Sequence, residues 1–126
     1  DFISFVQKYP ESPIYHYGWY ETDVFRRMME EFDASDSVRE QLTSKMVDIL
    51  PAFRESVIFP LPFYSLKDIA KYLGFNWRTA DASGLDSVLW FHDYQATDDS
   101  AALQKIMDYN EDDVIATWHL IKWARE

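Results

Sequence analysis

A chain of 126 residues with 48% apolar and 17% aromatic content can build a packed core, which excludes an intrinsically disordered chain. Its net charge of −10 has the wrong sign for gripping phosphate backbones over a whole surface, so any nucleic-acid contact would be local, and some of the 22 acids could gather around divalent cations. Cysteine is absent, which removes disulfides and zinc–thiolate sites, and three glycines are too few for a dinucleotide or Walker-type cradle.

Phe2, Phe5, Val6 and Tyr9 recur at helical spacing up to Pro10. After Pro13, the β-branched and aromatic run Ile14-Tyr15-His16-Tyr17 reads as a short strand ended by Gly18. Residues 21–32 set Val24, Phe25, Met28, Met29 and Phe32 against Arg26, Arg27, Glu30 and Glu31, the pattern of an amphipathic helix. A polar break over 33–37 precedes Val38, Leu42, Met46 and Ile49, whose spacing predicts a second helix running to Pro51. Between Pro51 and Pro62 the two closely spaced prolines argue for loop or edge extension near Phe59.

Ser65 with Asp68 three residues on, then Ile69 to Leu73 and a stop at Gly74, define one compact helix. Residues 75–84 read as a loop, and Val88, Leu89, Phe91 and Tyr94 as a further helix. Asp98, Asp99 or Ser100 would cap the last helix, whose apolar stripe is Leu103, Ile106, Val114, Trp118 and Ile121, interrupted at Asn110. No apolar run approaches the roughly 20 residues of a membrane span, so a soluble piece with no membrane contact is expected, compatible with a cytoplasmic setting. The first and last residues, Asp1 and Glu126, suggest a piece of a longer chain.

The chemistry-bearing stretch is Tyr109-Asn110-Glu111-Asp112-Asp113, in which Tyr109 and Asp113 stand one helical turn apart on one face. The bland reading of Asp113 is a solvent-facing helix acid. A second candidate acid is Glu21 at the strand-to-helix junction, where the bland reading is complementation of the helix dipole. His16 reads as a core or hydrogen-bonded histidine, and His92 and His119 have no partner at ligand spacing. Asp48 could be a helix cap or a neighbour of a metal site. Arg54, Lys67 and Arg78 could touch phosphates, or be salt-bridged surface. Trp19, Tyr20, Trp77 and Trp90 could stack on bases of a single strand, although core packing is the commoner use of such side chains.

Together, residues 14–25, Val47-Asp48-Ile49-Leu50-Pro51, the capped helix from Tyr64-Ser65 through Gly74-Phe75, Asp81-Ala82-Ser83-Gly84 and Tyr109 to Thr117 resemble the RNase H-like exonucleases of the DEDD type with a tyrosine in the third motif, in particular the nuclease domain of RecB-like proteins. The resemblance spans nearly the whole chain. It implies an α/β fold, here a helix-rich C-terminal portion of an RNase H-like domain with an incomplete sheet, forming one domain over 1–126 that lacks the first-motif strands. It further implies metal-dependent 3′→5′ exonuclease chemistry on DNA or RNA ends with Mg²⁺ or Mn²⁺, two ions in the complete domain. Glu21 and Asp113 would be metal ligands and Tyr109 would orient the attacking water. Glu21 stands where the family usually has Asp, with Asp23 the less favoured substitute, and the first-motif Asp-x-Glu pair has no counterpart before Ile14. The expected partners are nucleic acid, the remainder of the parent chain, and other chains through an exposed sheet edge. The alternative is a non-catalytic docking or nucleic-acid-positioning module of a larger nuclease or helicase protein.

Overall fold

The computed structural model describes residues 2–79 and 81–126, and the chain divides into two compact units, Asp1–Ile58 and Phe59–Glu126. The first contains α1 (Phe2–Gln7), β1 (Ile14–His16), α2 (Tyr20–Glu31), α3 (Asp36–Thr43), β2 (Met46–Asp48) and α4 (Leu50–Ser56). Strands β1 and β2 pair in parallel, with Ile14 opposite Met46, Tyr15 opposite Val47 and His16 opposite Asp48. A parallel pair needs a crossover of a dozen or more residues, which α2 and α3 supply. Val6, Met29 and Leu42 form the buried cluster, with Ile3, Ile14, Phe25, Ala34 and Val38 against it.

Local signals fix the helix ends. The Ser35 hydroxyl accepts from the Val38 N–H to start α3. Arg39 closes the end of α2 by donating from Nε to the Ala34 carbonyl (2.8 Å) and from Nη2 to the Met29 carbonyl (3.1 Å). On the outer face of α2, Arg26 bridges Asp23 (2.7 Å) and Glu30 (3.1 Å).

Two expectations are corrected here. The helix predicted to run through Met46 and Ile49 ends at Thr43, and Met46–Asp48 is a strand. Three residues are too few to show alternation, and what makes them a strand is a partner more than 30 positions earlier. Pro51 opens α4 instead of ending a helix, because its missing N–H falls in the first turn, where no intrahelical acceptor exists.

The second unit contains α5 (Leu66–Tyr72), α6 (Gly84–Thr97) and α7 (Ser100–Arg125), with α7 packed against both α5 and α6. Ser65 caps α5 as expected, accepting from the Asp68 N–H and donating to its carboxylate. At the other end Gly74 takes φ +90°, and the Phe75 N–H reaches the Ala70 carbonyl (2.8 Å), a Schellman closure that a side chain at Gly74 would strain. The loop expected over 75–84 is found as far as Ser83, with Gly84 opening α6 and Ala80 lying outside the described residues. Of the three cap candidates for the last helix, Asp99 accepts from the Ala101 N–H.

The apolar stripe on α7 also needs correction. Val114 is 70% exposed and Trp118 46%, while the buried line is Ala102, Asp112, Ala116, Leu120 and Ile121. Ile121 is buried as expected, but Ala102, Asp112 and Ala116 hold inward positions while Val114 and Trp118 stay outside.

Candidate functional site

In the first unit the residues of interest gather where β1 turns into α2. Gly18 adopts φ +88°, a conformation costly for other residues, and its N–H donates to Asp48 Oδ1 at 2.8 Å. The same oxygen accepts from the Leu50 N–H at 2.9 Å, so Asp48, just ahead of the Ile49 cap, holds the first residue of α4 and the turn after β1 at once. The buried His16 approaches the Gly18 carbonyl through Nδ1 at 2.7 Å; a carbonyl only accepts, so Nδ1 carries the proton. That nitrogen lies 3.9 Å from Glu21 Oε2. Glu21 thus sits in the first turn of α2, with His16 beside it and its side chain 43% exposed. Asp23, the weaker substitute, is taken up by Arg26 and Arg27, and the Arg26 hydrogen bond holds its carboxyl below the usual range. A cleft of about 530 Å³ opens beside this junction, walled by His16, Trp19, Asp23, Arg26 and Asp48 among others.

In the second unit Tyr109 and Asp113 lie one turn apart on α7, as their spacing predicts. The buried Trp77 donates from Nε1 to Asp113 Oδ1 at 2.8 Å, fixing that carboxylate. The Lys67 ammonium lies 5.4 Å from the Tyr109 ring centre and 5.5 Å from that of Trp77, and donates to the Ala82 carbonyl. Trp90 meets Tyr109 edge to face, with ring centres 6.4 Å apart. Burial pushes the Asp113 carboxyl up from its ordinary value; the Trp77 hydrogen bond and the Lys67 charge pull the other way without cancelling it. Burial likewise raises the Tyr109 phenol, with the charges of Asp113 and Asp86 adding to it, so the hydroxyl stays protonated at neutral pH.

The neighbouring acid has another role that sequence reasoning missed. Asp112 is 4% exposed and accepts from the Arg78 backbone N–H (2.8 Å) and Nε (2.9 Å), while the guanidinium also reaches Asp108 (3.2 Å) and Glu111 (2.6 Å). Burial opposes ionisation of Asp112, but the Arg78 hydrogen bonds outweigh it and leave the carboxyl below its usual value. Asp108, Glu111 and Asp112 stand at i, i+3 and i+4, a one-sided acid cluster that calls for a cation; this was the available signal. Of the two readings of Arg78, salt bridging is the one found.

The remaining candidates resolve plainly. His119 Nε2 donates to the Leu73 carbonyl (3.0 Å) and its ring packs on Phe75, while His92 is exposed. Arg54 is exposed on α4. Trp77 is core, whereas Trp19 and Tyr20 are 72% and 62% exposed beside Glu21. Among the described residues no cluster of three or more histidines and carboxylates is arranged to hold a metal ion. Glu21 and Asp113 each offer the hard oxygen donors that Mg²⁺ or Mn²⁺ prefers.

The family model of the RNase H superfamily matches residues 1–125, and the chain belongs to that superfamily. This gives it a nuclease-like fold, of a kind that generally binds nucleic acid. No curated protein and no solved structure matches the chain. No helix among the described residues is long and apolar enough to cross a membrane.

Proposed function

We propose that this chain is part of a metal-dependent 3′→5′ exonuclease of the DEDD type with a third-motif tyrosine, close to the nuclease domains of RecB-like proteins. The observation that carries the reading is the Tyr109–Asp113 turn, in which a half-buried carboxylate is oriented by the Trp77 indole and a protonated phenol stands one turn before it. A solvent-facing helix acid has no need of such an arrangement. Glu21 and Asp113 would serve as carboxylate ligands for Mg²⁺ or Mn²⁺, with further carboxylates from a first-motif segment. When bound, a pair of such ions activates water and offsets charge on a phosphodiester. Tyr109 would orient the water through its hydroxyl.

The test is degradation of 5′-labelled single strands, DNA and RNA in parallel, by the full-length protein with Mn²⁺. Turnover that shortens the 3′ end and is lost in Asp113→Asn supports the reading. The absence of any turnover in the full-length protein refutes it and favours the second reading, a docking or nucleic-acid-positioning module. One observation speaks for that alternative: α6 has no buried residue, and Leu85, Val88 and Leu89 form an exposed apolar strip at i, i+3 and i+4.

A further inference from the structure

We infer that Asp48 is a positioning residue, which sets the placement of the Glu21 carboxylate through the Gly18 turn; this rests on Glu21 having the ligand role given above. One carboxylate oxygen, Oδ1, holds two backbone N–H groups 32 residues apart in sequence, Gly18 at 2.8 Å and Leu50 at 2.9 Å. The Leu50 contact alone would be an ordinary local turn, an aspartate accepting from the N–H two residues on. The Gly18 contact ties the end of β2 to the turn that launches α2, two residues before that helix begins.

The consequences run outward from Gly18. With its peptide fixed at φ +88°, the carbonyl on the other side of the residue accepts from His16 Nδ1, which sets the imidazole tautomer and the orientation of its ring. The register reinforces this, since His16 is opposite Asp48 and the Ile49 N–H donates to the His16 carbonyl at 3.0 Å. The oriented ring presents Nδ1 at 3.9 Å from Glu21 Oε2. Asp48, Gly18, His16 and Glu21 therefore form one chain of contacts that begins at an acid with no place in the proposed ligand set. A carboxylate is suited to the task because one oxygen can accept two N–H bonds, and a charged acceptor strengthens both.

The two roles open to Asp48 make opposite demands on its second oxygen. A metal ligand needs the charge, whereas a positioning residue needs only Oδ1 as acceptor, which asparagine retains. In the full-length protein with Mn²⁺ and a 5′-labelled single strand, Asp48→Ala and Asp48→Ser should lower kcat by more than about tenfold with little change in KM, because misplacing a reacting group by about an ångström carries costs of that order. Serine keeps a short acceptor for the Leu50 N–H and so guards against simple unfolding. Asp48→Asn should stay within about threefold of the parent, as expected when both hydrogen bonds are retained. An Asp48→Asn protein as impaired as Asp48→Ala, or full kcat in Asp48→Ala, overturns the inference.

A second readout does not depend on turnover. Nitrogen NMR should show His16 as the Nδ1–H tautomer and a protected Gly18 amide in the parent and in Asp48→Asn, with both lost in Asp48→Ser. A parent without nuclease activity but with this NMR pattern refutes the exonuclease reading and leaves the lock on the turn standing. Unchanged spectra in Asp48→Ser refute the lock itself.

Discussion

Replacing Asp112 by alanine should destabilise the protein by about 2 kcal/mol, because the Arg78 backbone N–H and Nε lose a charged acceptor and such hydrogen bonds contribute roughly 1.5–3 kcal/mol. Breaking a fully buried pair would cost about 3–5 kcal/mol, but the Arg78 side chain is 47% exposed and keeps Asp108 and Glu111, so the lower figure applies. For a chain of this size the thermal midpoint should fall by about 8 °C. The sign of the pH dependence follows from the lowered Asp112 carboxyl. Its contribution is fully present above the ordinary carboxylate value near 3.9 and is lost as pH falls through the lower native value, so parent and variant should converge in acid. Urea unfolding at pH 7 and at a series of acidic pH values reads both effects. A difference below about 0.5 kcal/mol at pH 7, within the range of ordinary surface substitutions, would refute the anchoring role, and so would a difference that does not narrow in acid. Asp113 has the opposite sign: its native value is raised, so stability is lost as pH climbs from the ordinary carboxylate value through the native one, where the half-buried group must ionise. Asp113→Asn, which keeps an oxygen for the Trp77 N–H, should therefore be more stable than the parent at pH 7 even as it abolishes turnover.

Gly18→Ala should cost about 1–2 kcal/mol for holding φ +88° with a side chain present, since the new Cβ would make only ordinary contact with Leu50 at 3.9 Å; a neutral result in urea unfolding would mean that the turn relaxes freely. Trp77→Phe removes the donor to Asp113 and should raise that carboxyl further, read by carbon NMR titration, whereas an unchanged midpoint would show that the indole hydrogen bond does not favour the ionised form. Purified residues 1–126 should show almost no Mg²⁺-dependent nuclease activity, because the two proposed ligands, Glu21 and Asp113, are too few for two ions; robust turnover would contradict the ligand count.

What could be read from the chain followed the range of the forces involved. The α5 boundaries were legible because Ser65, Asp68 and Gly74 act within one or two turns of themselves. Strand β2 was not, because Met46, Val47 and Asp48 become a strand only through pairing with Ile14, Tyr15 and His16. The inward face of α7 was misplaced for a related reason. Ala70 on α5 and Ala116 on α7 are both fully buried, as close approach of two helices favours, and that leaves Val114 and Trp118 outside. Tyr109 and Asp113 stood out because a separation of four in a helix places them on one face whatever the packing. That Asp113 is aimed by Trp77, and that Asp48 reaches Gly18 as well as Leu50, depends on side chains 36 and 30 residues away and left no trace in the local pattern.

The two adjacent acids of α7 show why the site and its scaffold have to be considered together. At 3.6 residues per turn Asp112 and Asp113 diverge by about 100°, whereas Asp113 and Tyr109 differ by only about 40°. Seating Asp112 inward on Arg78 therefore fixes the rotation of the helix and leaves Tyr109 and Asp113 together on the adjoining flank, against Trp77 and Lys67. Asp48 stands in the same relation to Glu21 in the first unit, fastened to backbone N–H groups while the proposed ligand remains half exposed. In both units one acid is taken up by backbone N–H groups of the fold, and the acid proposed for chemistry keeps part of its side chain exposed.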